Sequence, residues 1–293
     1  MSQHPTLSVR DLSYAHAARS KPGKALIRLM ENTTGRVSLI KRARGYEHDV
    51  GPDTNFFEVM VARYGLSLDV MRGDLGLIPR TGPVIFIANH PYGILDGLML
   101  GHIMAQTRSD FRILAHSVFN RAPDLNQHLL PISFAADKAA LALNIATRKT
   151  ALASLQAGGA IGVFPGGTVS TGARPFSLPM DPVWRCFTAR MIAKSQAQIV
   201  PIYFEGHTSR LFQIASHLHA TLRMGLLIKE FRKRVDTPVR VAIGAPIGRD
   251  VLDPMAGDAK GMMDFLRKAT YELSPEPLCS SALGFEFEQH HRA

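Results

Sequence analysis

Six short apolar runs, separated by stretches of helical character, constrain this chain more than any other feature. The first, Val84–Ala88, reads Val-Ile-Phe-Ile-Ala without a polar residue, and runs at 111–115, 129–134, 160–164, 199–204 and 239–243 follow it. None alternates strictly between apolar and polar residues. A strand with water on one face alternates, whereas one covered on both faces does not. The pattern therefore predicts an α/β fold: a mostly parallel central sheet flanked by helices, with a helical segment before it. The run at 160–164 carries no charge and belongs near the sheet centre.

Helices are expected over 95–105, 138–155, 183–194 and 258–271. Asp137 is placed to cap the second of these, and Gly158-Gly159 to stop it. Residues 21–75 read as helical, with no strong strand run. Within them, 55–64 is a short apolar-rich stretch ending at Gly65, suited to docking on the core or lying against lipid; the core reading is favoured because the stretch is not strongly basic. The organisation expected is a loose arm at 1–20, a helical segment at 21–75 packed on the core or a membrane surface, an α/β unit at 76–273, and a tail at 274–293.

The 293 residues are 46% hydrophobic, enough for one large core or for one core with a small helical appendage. No run approaches the ~20 apolar residues that span a bilayer. Residues 1–20 lack the apolar centre of a signal peptide, so a cytoplasmic setting is expected. Cys186 and Cys279 provide neither a metal spacing nor a disulfide framework. The formal charge of +10 suits nucleic acid, anionic lipid or an acidic carrier protein. The basic clusters are not interleaved with aromatics, and no nucleic-acid motif is present, which favours membrane or carrier contact. No glycine-rich nucleotide fingerprint opens the fold; Gly158-Gly159-Ala160-Ile161-Gly162 precedes a strand, the wrong context for one.

Chemistry concentrates where the first run ends, in Asn89-His90-Pro91-Tyr92-Gly93-Ile94-Leu95-Asp96-Gly97. Ligands in open α/β sheets bind beyond the C-terminal strand ends. His90 lies at such an end, and Asp96 falls in the first turn of the following helix. A carboxylate there can hold one imidazole nitrogen and leave the other basic and facing a cleft. The alternative is that Asp96 only caps the helix and His90 only bonds loop backbone.

A second loop, Phe164-Pro165-Gly166-Gly167-Thr168-Val169-Ser170-Thr171-Gly172, offers adjacent backbone N–H groups and three hydroxyls. Such a turn holds an anion or polarises a carbonyl, or is simply a strand-to-helix turn. A third element is Val200-Pro201-Ile202, followed by Glu205 and Arg210, residues suited to an amine and to a phosphate or carboxylate respectively, or, taken singly, to a solvated or capping pair.

These segments, in this order and spacing, resemble the glycerolipid or lysophospholipid acyltransferase superfamily, and within it the bacterial hemolysin-like or lyso-ornithine-lipid acyltransferase branch, whose loop reads Asn-His-Pro-x-Gly-x-x-Asp-Gly. The likeness runs from about residue 75 to 247. It implies a glycerol-phosphate-acyltransferase-like fold over 76–273. It assigns His90 the role of base toward an acceptor hydroxyl and Asp96 that of orienting the imidazole. It implies a fatty acyl donor that is a thioester of coenzyme A or acyl carrier protein, a lysolipid acceptor, and no bound cofactor or metal. Asn89, Gly93, Arg121, Phe164, Pro165, Gly166, Gly167, Thr168, Ser170 and Arg210 are the expected substrate-binding residues.

Three departures from the family pattern stand out. The His-to-Asp spacing is His-x5-Asp, against the commoner His-x4-Asp. The usual Phe-Pro-Glu-Gly-Thr-Arg-Ser box has Gly166 in place of its Glu and Val169 in place of its Arg. No Arg follows the run at 129–134, leaving Lys138 nearby and Arg121 on the preceding segment. The lost charges favour an acceptor other than a simple phosphate monoester, such as lyso-ornithine lipid. The expected setting is peripheral, on the inner face of the cytoplasmic membrane. Two other classes fit the same residues: a noncatalytic lipid-binding protein on this scaffold, and an acyl thioesterase in which water replaces the alcohol.

Overall fold

All five residues of Val84–Ala88 are buried, because the strand they form has an apolar layer on each face. The computed structural model describes residues 13–15, 18, 20–51, 54–116, 123–133 and 137–286. Three helices come first: α1 (Lys21–Thr34), α2 (Arg36–Ala43) and α3 (Phe56–Arg63). Strand β1 (Ser67–Arg72) and strand β2 (Val84–Ala88) lead to α4 (Ile94–Thr107), β3 (Phe111–His116), a short α5 (Pro123–Asn126) and β4 (Leu129–Ile132). Next come α6 (Lys138–Gln156), β5 (Ala160–Val163), the two-residue strands β6 (Thr171–Gly172) and β7 (Pro179–Met180), and α7 (Cys186–Ile192). The chain ends in β8 (Gln198–Phe204), α8 (Arg210–Leu218), α9 (Ala220–Arg234), β9 (Pro238–Ile243), α10 (Arg249–Leu252) and α11 (Ala259–Tyr271).

Among the described residues seven strands form one sheet in the order β1-β9-β8-β2-β5-β3-β4, and β6 with β7 makes a separate hairpin. Neighbours are parallel except β8 and β9, which pair antiparallel, so β1 and β9 run against the other five. On one face Val84, Phe86, Val200 and Ile202 meet Met60 of α3, Leu100 of α4 and Ile228 of α9. On the other, Ile85, Ile87, Ile161 and Ile199 meet Leu155 of α6, Ile192 of α7 and Leu266 of α11. Both sets of side chains are apolar, which is why the strands do not alternate.

Local signals at the helix ends act as expected. The Asp137 side chain accepts a hydrogen bond from the Ala140 N–H at the start of α6, and Asp258 does the same for Gly261 at the start of α11. The apolar stretch at 55–64 docks on the core: Phe57, Val59, Met60 and Val61 of α3 are buried.

Three expectations need correction. The segment 21–75 is not purely helical, since Ser67–Arg72 is a strand. It pairs only with β9 at the sheet edge, with Ser67, Asp69 and Arg72 exposed, so it carries no continuous apolar run. The helix expected over 183–194 is shorter, Cys186–Ile192, because Trp184 is drawn into the core before the helix begins. Finally, α8 and α9 fill the stretch between β8 and β9, where no helix was expected. The buried face of α9 includes Arg223 and Glu230, and these charges break the apolar periodicity. Arg121 and Phe134 lie outside the described residues.

Candidate active site

The strand order places β2 between β8 and β5, so the loops leaving the C-terminal ends of these three strands are neighbours. Asn89 closes the end of the β2–β8 ladder. Its Nδ2 donates to the Phe204 carbonyl at 2.9 Å, and the Phe204 N–H donates to its Oδ1 at 2.7 Å. Both ends of the amide are thereby engaged, and Asn89 is buried.

His90 follows. Its N–H donates to Asp181 Oδ1 at 3.2 Å, and its carbonyl accepts the Ser170 N–H at 2.8 Å. These two bonds fix the backbone from which the imidazole projects. Gly93, at φ +80°, turns the chain into α4. Asp96, in the first turn of that helix, is fully buried, and its Oδ2 accepts the N–H groups of Tyr92 at 2.7 Å and Gly93 at 2.9 Å. The same oxygen lies 3.0 Å from His90 Nδ1. Burial pushes the Asp96 carboxyl above the ordinary carboxylate range, while His90 and the two N–H groups pull it back.

The His90 side chain keeps 18% of its surface exposed, and its ring stacks on Phe164 with centroids 4.2 Å apart. With Nδ1 turned to Asp96, Nε2 is the nitrogen left for a ligand.

Tyr92 braces the loop from below. It is buried, its hydroxyl donates to the Glu205 carbonyl at 3.1 Å, and Arg234 lies over its ring at 4.9 Å. Burial lifts its hydroxyl pKa to about 12. Gly206 lets the β8 loop pass over this hydroxyl: it sits at φ +101°, and a Cβ there would stand 1.9 Å from Tyr92 Oη. Gly206→Ala is therefore expected to destabilise the protein by about 1–3 kcal/mol, measured by urea unfolding; an unchanged midpoint would contradict this packing.

The second loop leaves β5 at Phe164. The Gly167 N–H turns back to the Phe164 carbonyl at 3.0 Å, and the Pro165 carbonyl accepts the Arg185 N–H at 3.0 Å. The Ser170 hydroxyl donates to Asp181 and is buried. Arg223 reaches the loop from α9. It donates to Thr168 Oγ1 at 3.0 Å, the Val169 carbonyl at 2.7 Å, Thr171 Oγ1 at 2.7 Å and Ser216 Oγ at 2.8 Å. Burial among neutral acceptors pulls its pKa below the ordinary arginine value.

Asp181 joins the two loops. Fully buried, it accepts the His90 N–H, the Ser170 hydroxyl and the Trp184 indole N–H, the last at 2.9 Å. Its carbonyl accepts Arg267 Nη2 and the Gly284 N–H, each at 2.9 Å, which straps the segment after α11 beneath the site. Gly166 leaves room for it, since a Cβ there would lie 3.2 Å from Asp181 Oδ2.

Neither Asp181 nor Arg223 was singled out from the sequence. The available signal was a charge inside an apolar stretch, Met180-Asp181-Pro182-Val183-Trp184 in one case and Leu222-Arg223-Met224-Gly225-Leu226 in the other. Such a charge implies burial with partners.

His90, Asp96, Gly93 and the Phe164–Ser170 loop come together as one cluster. Arg210 stands exposed at the first turn of α8, and Glu205 pairs with Arg240 at 2.6 Å. Chemically, an imidazole held by a buried carboxylate can take a proton from a hydroxyl and bear the charge that results. Among the described residues no helix is long and apolar enough to cross a membrane.

No curated protein matches the sequence. The crystal structure of a 1-acyl-sn-glycerophosphate (LPA) acyltransferase, PlsC, from Thermotoga maritima is similar over 90% of this chain and 87% of that one, with 14% identity and a TM-score of 0.45. The family model described as acyltransferase matches residues 14–277, nearly the whole length, and the chain belongs to that acyltransferase family.

Proposed function

We propose that this acyltransferase moves a fatty acyl group from a thioester, acyl-CoA or acyl carrier protein, to the hydroxyl of a lysolipid, with His90 as general base. The observation that carries the proposal is the 3.0 Å approach of His90 Nδ1 to the buried Asp96 Oδ2 at the end of a central strand. His90 Nε2 takes the acceptor hydroxyl proton as the oxygen attacks the thioester carbonyl. The C–S bond breaks, the proton passes from the imidazolium to the departing sulfur, and ester and free thiol leave. Asp96 stabilises the imidazolium between these two transfers. No acyl-enzyme is required, and the buried Ser170 hydroxyl, held by Asp181, is not called on as a nucleophile.

The Gly166–Ser170 loop would position the acceptor. It carries neither an acid at Gly166 nor a base at Val169, and the Arg223 guanidinium is directed into the loop itself. This favours an acceptor without a phosphate monoester, such as lyso-ornithine lipid, in line with the hemolysin-like branch. The net charge of +10 supports peripheral work on anionic lipid at the inner face of the cytoplasmic membrane, and favourable encounter with an acidic carrier protein.

The test is thiol release from acyl-CoA and acyl carrier protein across a panel of lysolipids, with the lipid product identified. Release coupled to a new acylated lipid supports the proposal. Strict dependence on lysophosphatidate would sink the headgroup assignment, and release without an acceptor would make the protein a thioesterase.

Asp96→Asn separates chemistry from folding. Because burial raises the Asp96 pKa in the folded protein, its charged form costs stability, and that cost appears as pH rises through the folded-state value. The variant is expected to lose about 10²–10⁴-fold in rate yet be no less stable than wild type at pH 7. Any stability advantage should shrink as pH falls. A pH series of melting curves checks the sign.

A further inference from the structure

The β6–β7 hairpin grows directly out of the candidate acceptor loop. Ser170, whose N–H donates to the His90 carbonyl, is followed at once by β6, and the next six residues, 173–178, are all exposed. The turn is nevertheless well tied. The Arg174 N–H donates to Ser177 Oγ at 3.0 Å, and the Ser177 N–H to the Arg174 carbonyl at 3.1 Å. This built turn holds Phe176 78% exposed and Leu178 56% exposed.

Helix α8 lies against the same hairpin. Gln213 Oε1 accepts the Gly172 N–H at 2.9 Å, and His217 Nε2 sits 3.0 Å from the Gly172 carbonyl. Arg174 in the turn and Arg210, on the hairpin side of α8, are also exposed.

A single exposed leucine requires no explanation, but an ordered turn that holds both an aromatic ring and a leucine in water does. Apolar side chains protruding at a turn, accompanied by arginines, match the layered chemistry of an anionic bilayer. The apolar groups enter the acyl boundary and the guanidinium groups stay among the phosphates. A protein partner would call for a groove or a flat core, whereas here the apolar groups project at a turn on a chain of net charge +10.

We propose that the β6–β7 turn is the surface by which the protein enters the headgroup layer of an anionic phospholipid bilayer. The turn is continuous with the loop bonded to His90, so docking brings the base to the depth at which a lysolipid hydroxyl lies. This placement rests on the lysolipid reading above; the contact with the bilayer can be measured without it.

Phe176→Trp supplies the direct probe, because the protein's single tryptophan, Trp184, is buried and provides a constant background. On adding vesicles of phosphatidylcholine with phosphatidylglycerol, its emission should shift to the blue and be quenched by brominated acyl chains. In sedimentation with the same vesicles and no acyl donor, Phe176→Ser/Leu178→Ser should bind at least about tenfold more weakly than wild type. Leu26→Ser/Leu29→Ser, on exposed positions of α1, should bind as wild type does. Transfer to monomeric lysolipid without vesicles should be unchanged in Phe176→Ser/Leu178→Ser.

Wild-type-like binding by Phe176→Ser/Leu178→Ser, an equal loss in the α1 variant, or equal binding to pure phosphatidylcholine would overturn the proposal. Hairpin-dependent binding without transfer to any lysolipid would support the surface and overturn the reaction instead.

Discussion

His90→Ala is expected to lower acyl transfer by about 10²–10⁴-fold, the range a positioned general base supplies, while unfolding stability changes by about 1 kcal/mol or less. The division between the two effects follows from the geometry. His90's structural bonds are made by its backbone, whose N–H goes to Asp181 and whose carbonyl accepts from Ser170, and both survive the substitution. Asp96 keeps the Tyr92 and Gly93 N–H groups, so its carboxylate retains two donors. The imidazole's packing on Phe164 is lost from a partly exposed position, a modest effect. Rate and stability should therefore separate: kcat collapses and the urea midpoint barely moves. A variant that retains more than a tenth of wild-type transfer would remove His90 from the base role. One that loses activity only in proportion to stability would make its role structural.

Asp181→Ala is expected to act on both quantities, destabilising the protein by about 3–5 kcal/mol and removing most transfer activity. The carboxylate is fully buried and satisfies three donors from three segments: the His90 N–H, the Ser170 hydroxyl and the Trp184 indole. Removing it leaves all three unpaired in a site too enclosed to hydrate them well. It also loosens the β2 loop from the β5 loop, leaving the Ser170 N–H bond to the His90 carbonyl between them, so His90 and the Phe164–Ser170 turn lose a common anchor. Errors of about 1 Å in such positioning cost rate on the order of 10²-fold. Asp181→Asn keeps an acceptor but turns an amide N–H₂ toward the donors, and should fall between wild type and the Ala variant. Denaturant unfolding combined with transfer kinetics checks the order. An Ala variant within about 1 kcal/mol of wild type would mean that the three bonds contribute little.

How much of this was legible in the chain depended on the range of the interactions. The Val84–Ala88 strand, the turn at Gly93 and the first turn of the helix carrying Asp96 are set within the thirteen residues from Val84 to Asp96 by burial, positive φ and side-chain capping, so the His90–Asp96 contact was within reach of a linear reading. The same holds for Asp137 at the start of α6. Strand β1 was missed because an edge strand with polar residues facing water carries no apolar run. Helix α9 was missed because Arg223 and Glu230 sit on its buried face, where periodicity expects apolar residues.

From its sequence alone the protein was determined to be an α/β domain, with a candidate site at the end of its first buried strand, because chain-local preferences and double-sided burial leave their mark on consecutive residues. Only the tertiary structure decided which strands flank that one, and that β1 and β9 run against the rest. It also decided that Asp181, 91 residues from His90, would tie the site together, and that Arg223, 55 residues from Thr168, would buttress its second loop. Those partners are chosen by the need to pair buried polar groups across the fold, and that need is met in space, with no fixed spacing along the chain to betray it.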